Sequence, residues 1–228
     1  MLGILVGLKA EARLIRPFFP KAPIALSGAT ADGAREGTAR LVAAGATRLL
    51  SFGCAAGLAP GLLPGQIVVP EWVQVDGRRF DASAVLRSGF GAERSDALAG
   101  GLLHSDSIIR TAAEKAELYA QTDCVAVDME SGFVARSGLD FAVLRVVCDD
   151  SRRDLPPVAC DVLAEGRIAA GRLFGGLMRD PAQIGGLIAL GRDAARARSS
   201  LDRFLQGLSA QGVMQTMGFS QTIPGDTL

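Results

Sequence analysis

The chain has 228 residues, with 24 Lys or Arg set against 24 Asp or Glu, so its formal net charge is zero. That balance excludes nucleic acid as the main partner, because phosphate backbones are held by a concentrated positive field; the length suits one domain with a full core. A single His (His104) rules out His-rich metal sites and leaves any Ser-His-Asp hydrolase dependent on that residue alone.

Residues 2–7 form a continuous apolar run ending in Gly, the pattern of a buried strand that feeds a helix. The opening MLGILVGLKAEARL has no basic region before its apolar run and no small-residue cleavage site after it. It therefore reads as a strand and not a signal peptide, and a cytoplasmic location is expected. Residues 9–15 predict one or two helical turns closed before Pro17, and 24–26 a short strand. Residues 30–44 are Ala-rich and end at Gly45, a helix with its C-cap signal. Residues 48–52 are a second core strand, running into a turn of small residues over 53–57. Strand follows over 65–70 and 72–75, then a polar, loop-rich excursion over 78–91. Residues 97–103 predict a strand, 109–120 a helix, 124–127 a strand, 129–136 a helix, and 141–147 the last strong strand.

After Pro156 and Pro157 the pattern turns helical, with a long helix expected over 181–208. The apolar stretch 173–190 is broken by Arg179, Asp180 and Pro181, far short of the ~20 apolar residues a spanning helix needs, so no transmembrane segment is predicted. Residues 1–210 read as one catalytic domain and 211–228, which lack periodicity, as a flexible tail. The four Cys (Cys54, Cys124, Cys148, Cys160) show no C-x-x-C spacing and imply a reducing compartment. Alternating strands and helices predict an α/β fold, a single-domain three-layer α/β/α with a central mixed sheet, in which ligands gather at the carboxyl ends of strands.

Four of those strand ends carry candidate chemistry: Gly7-Leu8-Lys9-Ala10-Glu11, Gly53-Cys54-Ala55-Ala56-Gly57, Asp128-Met129-Glu130 and Arg145-Val146-Val147-Cys148-Asp149. A run of small residues lets backbone N–H groups approach a ligand, though it equally makes a plain turn. Asp128 is read as a helix cap. Glu130 lies too late for a simple cap, so a ligand hydroxyl is its expected partner. Asp149 follows an apolar strand, where burial would keep an acid protonated for proton donation, or it caps the next turn.

Taken in this order, the four pieces resemble the nucleoside phosphorylase and nucleosidase superfamily, which includes purine nucleoside phosphorylases and methylthioadenosine/S-adenosylhomocysteine nucleosidases. SFGCAAGLAPGLLPGQIVVPEWV is similar to that family's run of small residues followed by a Gly-[Asp/Gln]-Ile-Val-Val strand. AVDMESGFVARSGLDFAVLRVVCDD is similar to its Met-Glu helix start and Asp-ending strand. With LRVVCDDSRRDLPP and PAQIGGLIALGRDA, the resemblance narrows to the hopanoid-biosynthesis-associated phosphorylase branch and extends to about residue 208.

The resemblance implies cleavage of the N-glycosidic bond of an adenine nucleoside, with adenosylhopane as the branch's substrate. It implies no metal or organic cofactor, inorganic phosphate as co-substrate only if the reaction is phosphorolysis, and a homo-oligomer that touches a membrane surface if its nucleoside is lipid-linked. By the same resemblance Asp149 protonates or hydrogen-bonds adenine N7, Glu130 accepts the ribose hydroxyls, Met129 packs beneath the sugar, and Arg145 orients the polar groups on the sugar side. Backbone groups near Ala55, Ala56 and Ile109 border the base, Ile108 takes the place of an aromatic ring, and Cys54 stands where Ser is common, which weakens any hydroxyl contact to phosphate or ribose. His104 is expected at the rim or in a structural role. Glu11 matches the water-activating Glu of nucleosidases, whereas hexameric phosphorylases place Arg near that loop and before the small-residue run, where this chain has Ser51. A carboxylate facing a phosphate dianion is repulsive, and Lys9 and Arg13 are the nearby cations, so the residues favour water while the branch favours phosphate. Two alternatives stay open: a binding protein of the same fold without catalysis, and a Ser/His hydrolase using His104, which lacks a Gly-x-Ser-x-Gly elbow.

Overall fold

A computed structural model describes residues 1–157 and 183–210. Its elements are β1 (Leu2–Val6), α1 (Lys9–Ile15), β2 (Ile24–Leu26), α2 (Ala31–Ala43), β3 (Arg48–Gly57), β4 (Ile67–Val68), β5 (Trp72–Val75), β6 (Arg78–Asp81), α3 (Ala84–Gly89), β7 (Ala97–Leu98), β8 (Gly101–His104), α4 (Ala112–Thr122), β9 (Cys124–Asp128), α5 (Ser131–Ala135), β10 (Asp140–Asp149) and α6 (Gln183–Ala210). Cys160, residues 173–182 of the apolar stretch and the predicted tail 211–228 lie outside the described residues. Among the described residues, no helix is long and apolar enough to cross a membrane.

The described strands form one ten-stranded sheet, and its mixed parallel and antiparallel pairing follows the expected α/β architecture. Alternation along the strands sends side chains to both faces. Ile4, Val6, Leu50, Phe52, Leu144 and Val146 pack with Leu201, Phe204 and Leu205 of α6 on one face. Leu5, Leu49, Val143 and Val147 pack with Leu41 of α2 and Val134 of α5 on the other. Both clusters are almost wholly removed from water, giving three layers.

What positions the site is an exchange of partners along β3. One edge of β3 is paired with β10 from Arg48 to Ala56. The other edge is paired with β1 as far as Phe52, and then with antiparallel β9 at Ala56 and Gly57. Gly53, Cys54 and Ala55 therefore have no strand partner on that edge, and the ends of β1 and β9 point towards the gap from opposite directions. At the end of β10 a bulge between Val147 and Asp149 breaks the register, so the consecutive residues Cys148 and Asp149 both reach one cavity.

Four sequence expectations are corrected. The small residues 53–57 are not a turn but the continuation of β3, because β10 pairs with them and their small side chains leave the space that its Arg145 crosses. The excursion over 78–91 contains β6 and α3, entered by a hairpin in which Asp76 and Gly77 both take positive φ (48° and 74°). The strand predicted over 97–103 is two strands separated at Gly100, whose φ is 107°. The helix over 109–120 starts later: Thr111 caps α4, accepting a hydrogen bond from Glu114 N while Glu114 accepts from Thr111 N.

Candidate active site

Nine of the ten predicted site residues line a single cavity at this gap: Glu11, Cys54, Ala55, Ala56, Ile108, Ile109, Met129, Glu130 and Asp149. The tenth, Arg145, lies beneath it and is 1% exposed. Sequence reasoning did not assign Leu8, Ala29, Cys148, Leu155 and Leu190, which also line the cavity.

Glu11 fills the unpaired stretch of β3. Its Oε1 accepts from Cys54 N at 3.0 Å, and its Oε2 accepts from Leu8 N at 2.8 Å, closing the first turn of α1. Two glycines make room for it. A Cβ on Gly53 would lie 2.5 Å from Glu11 Oε1 and 2.7 Å from Arg145 Nη1, and one on Gly7 would lie 3.0 Å from Glu130 Oε1 and 3.2 Å from Glu11 Oε2. Glu11 and Glu130 are thus neighbours across Gly7.

Arg145 reaches across Gly53 and holds the acidic side of the floor. Its Nη2 lies 2.5 Å from Asp128 Oδ2 and 3.3 Å from Glu130 Oε2, and donates to Ser51 Oγ at 2.7 Å. Ser27 Oγ, on the loop after β2, donates to Glu130 Oε1 at 3.2 Å. The N-cap position of α5 is Glu130, not Asp128, and the Glu130 side chain makes no cap bond; Asp128, two residues earlier, accepts from Ser131 N at 3.2 Å and is also an ion-pair partner of Arg145, a second role the capping interpretation missed. Burial opposes ionisation of Asp128, yet Arg145, the nearby His104 imidazole and Ser131 hold its carboxyl below the ordinary value. Glu130 is different: burial, with the negative charges of Asp128 and Glu11, pushes it to about 7 despite Arg145.

Stability should follow that shift. Below pH 4.5, Glu130's ordinary value, it is neutral in both folded and unfolded chains. As the pH rises towards about 7 the unfolded chain releases the proton that the folded one retains, so stability is lost through this window and levels off above it. The loss is on the order of 3 kcal/mol. Glu130→Gln should abolish this component in urea melts across pH 5–8; an unchanged pH slope would contradict the shift.

Asp149 makes an ion pair with Lys115, which is wholly buried, at 2.6 Å. Burial pushes the Asp149 carboxyl up, and Lys115 pulls the other way. Cys54's thiol is raised well above its usual range by contact with Cys148 and by burial, so it stays a neutral wall group. The remaining wall is apolar, from Ile108, Ile109, Met129, Leu155 and Leu190.

His104 does not line the cavity. It stands edge-on to Phe133, with centroids 5.1 Å apart, and its Nδ1 is 3.9 Å from Asp128 Oδ1, beyond hydrogen-bond reach. That position removes the geometric basis for a Ser/His hydrolase. Convergence of Glu11, Glu130 and Asp149 on one cavity likewise removes the dispersed arrangement a binding-only protein could tolerate. Among the described residues, no cluster of His, Cys, Asp and Glu is arranged to hold a metal ion.

No protein-family model matches the chain, and no curated protein matches it by sequence. Solved structures do. The 5'-methylthioadenosine/S-adenosyl homocysteine nucleosidase of Helicobacter pylori aligns over 92% of this chain and 97% of its own, with a TM-score of 0.64 and 15% identity. The futalosine hydrolase of the same organism aligns over the same shares, with a TM-score of 0.65 and 14% identity. The corresponding nucleosidase of Neisseria meningitidis, in complex with methylthio-immucillin-A, covers 91% of this chain and 98% of its own at 0.63 and 17%. At these identities the likeness establishes a fold shared with these three proteins over nearly the whole of each chain.

Proposed function

We propose that this protein hydrolyses the N-glycosidic bond of an adenine nucleoside and releases adenine. The observation that carries this reading is the convergence of Glu11, Glu130 and Asp149 on one cavity, in a fold shared with solved nucleosidases. Bond cleavage passes through a sugar with oxocarbenium character, which needs negative charge on the sugar side and a proton for the departing base. Glu130 takes the ribose hydroxyls, with Met129 packed beneath the ring and Arg145 holding the carboxylate in place. Asp149 gives its proton to adenine N7 as the C1′–N9 electrons pass into the base, which lies against Ala55, Ala56, Ile108 and Ile109, with Cys54 beside them. Glu11 takes a proton from water, and the water oxygen bonds to C1′.

Water is favoured over phosphate by the local chemistry. The N–H groups of Leu8 and Cys54, otherwise suited to cradling an anion, are already spent on the Glu11 carboxylate. Among the described residues, no Lys or Arg lines the cavity, and a dianion without such partners is costly to hold. Leu8, Leu155 and Leu190 give the cavity an apolar wall, which we assign to the 5′ side of the nucleoside; together with the resemblance to the hopanoid-associated branch, this makes adenosylhopane the proposed substrate, met by a cytoplasmic homo-oligomer at a membrane surface.

The test is adenine release from adenosine, a 5′-alkylthioadenosine and adenosylhopane in phosphate-free buffer. Adenine and the free sugar are expected, at a rate that added phosphate leaves unchanged. No adenine from any of the three would refute the activity, and release only with phosphate would refute the choice of water.

A further inference from the structure

Lys115 sits behind the proposed acid. In α4 it heads the inward stripe Lys115, Leu118, Tyr119 and Thr122, a position where an apolar residue would ordinarily pack. It is fully buried, which a Lys tolerates only when its ammonium is partnered. All three N–H donors are placed: to Asp149 Oδ2 at 2.6 Å, to the Asp150 carbonyl at 2.8 Å and to the Arg153 carbonyl at 2.9 Å. Asp149 thus turns Oδ2 to the ammonium and keeps Oδ1 for a ligand. The segment that follows is tied down further: Asp154 Oδ1 accepts from Ala112 N, Leu155 N donates to the Arg110 carbonyl, and Arg153 pairs with Asp193 of α6.

We propose that Lys115 is a positioning residue for glycosidic-bond cleavage: it fixes Asp149 at the cavity wall and provides a preplaced counter-charge for the carboxylate that forms when Asp149 gives up its proton. The proposal rests on the function argued above. In that step the proton passes from Asp149 to N7, and the C1′–N9 electron pair enters the base. The oxygen at C1′ comes from the water that Glu11 deprotonates. The new carboxylate charge appears in a buried place, where an ammonium already in position removes the cost of reorganisation.

The charged groups facing Asp149 are Lys115 from α4 and Asp150 and Arg153 from the following segment, with Asp193 of α6 drawing on Arg153. Burial raises the Asp149 carboxyl and Lys115 lowers it, so removing Lys115 leaves burial dominant. An acid works only while protonated, so its titration sets the alkaline limb of the rate, and that limb should move upward with it.

The test uses the full chain with Lys115→Met and Lys115→Gln. The Asp149 carboxyl is followed by NMR of carboxyl-labelled Asp and assigned with Asp149→Asn. In both variants the carboxyl titration should rise by about 1–3 units. Turnover of adenosine at pH 7 should fall on the order of 10²-fold in kcat, with the alkaline limb shifted upward alongside the carboxyl. Asp154→Ala, which loosens the segment without touching the ammonium, should leave the limb in place. If the Met variant fails to fold by circular dichroism, the Gln variant decides. An unmoved carboxyl titration overturns the proposal, as does an unmoved limb in an active variant. A wild type that releases no adenine overturns the functional reading and this step with it, whereas an active wild type paired with an unmoved limb overturns the role of Lys115 alone.

Discussion

Asp149→Asn is expected to lower adenine release by about 10²–10⁴-fold, the range that positioned proton transfer supplies. Binding of a nucleoside analogue, measured by calorimetry, should change far less. The substitution suits the question because the amide oxygen still accepts the bond from Lys115, now 2.6 Å from Asp149 Oδ2, so the wall is preserved. What disappears is the transferable proton. Burial raises the Asp149 carboxyl, which increases its protonated share near neutral pH, and an amide has no equivalent form. An unchanged rate would remove Asp149 from the reaction.

The second large effect is on folding. Arg145 is fully buried and answers Asp128, Glu130 and Ser51 together. Arg145→Met leaves two buried carboxylates without their cation, and breaking such an arrangement from one side costs about 3–5 kcal/mol. For a chain of this size that corresponds to a fall in Tm of roughly 10 °C or more. Glu130, already raised to about 7 by burial, would lose the group that holds it down and be neutral at neutral pH. Arg145→Met/Glu130→Gln should therefore recover part of the lost stability while remaining inactive. A single variant that melts with the wild type would show that the network contributes no net stability.

Much of the frame was legible because local patterns and tertiary pairing agree. The bounds expected for α1 and β2 coincide with those observed, since Pro17 stops the one and short apolar runs define the other. The acidic residues were legible for a related reason: they stand where apolar strands end, and the topology brings those ends together. The small residues 53–57 misled because composition was read as a turn, when smallness here serves the passage of Arg145 beside Gly53. The Asp76-Gly77 hairpin carried a usable signal that its polar surroundings obscured. Lys115 and Ser27 were out of reach of local reasoning. Ser27 meets Glu130 across 103 residues of chain and Lys115 meets Asp149 across 34, and neither motif names its partner. The one clue was a Lys standing on the inward stripe of α4.

On the proposed function, the placing of Arg145 below the floor bears on which adenine compounds the cavity would admit. Its charge and that of Lys115 are taken up by Asp128, Glu130 and Asp149, and the Glu11 carboxylate accepts from the N–H groups of Leu8 and Cys54. A nucleoside 5′-phosphate offers the same base and sugar but brings a dianion towards a cavity that no Lys or Arg lines among the described residues. Each close like-charge pair costs roughly 4 kcal/mol at 4 Å near a protein surface. On that proposed function, nucleotides would be sorted from uncharged nucleosides by electrostatics, before the apolar wall has read anything of the 5′ group.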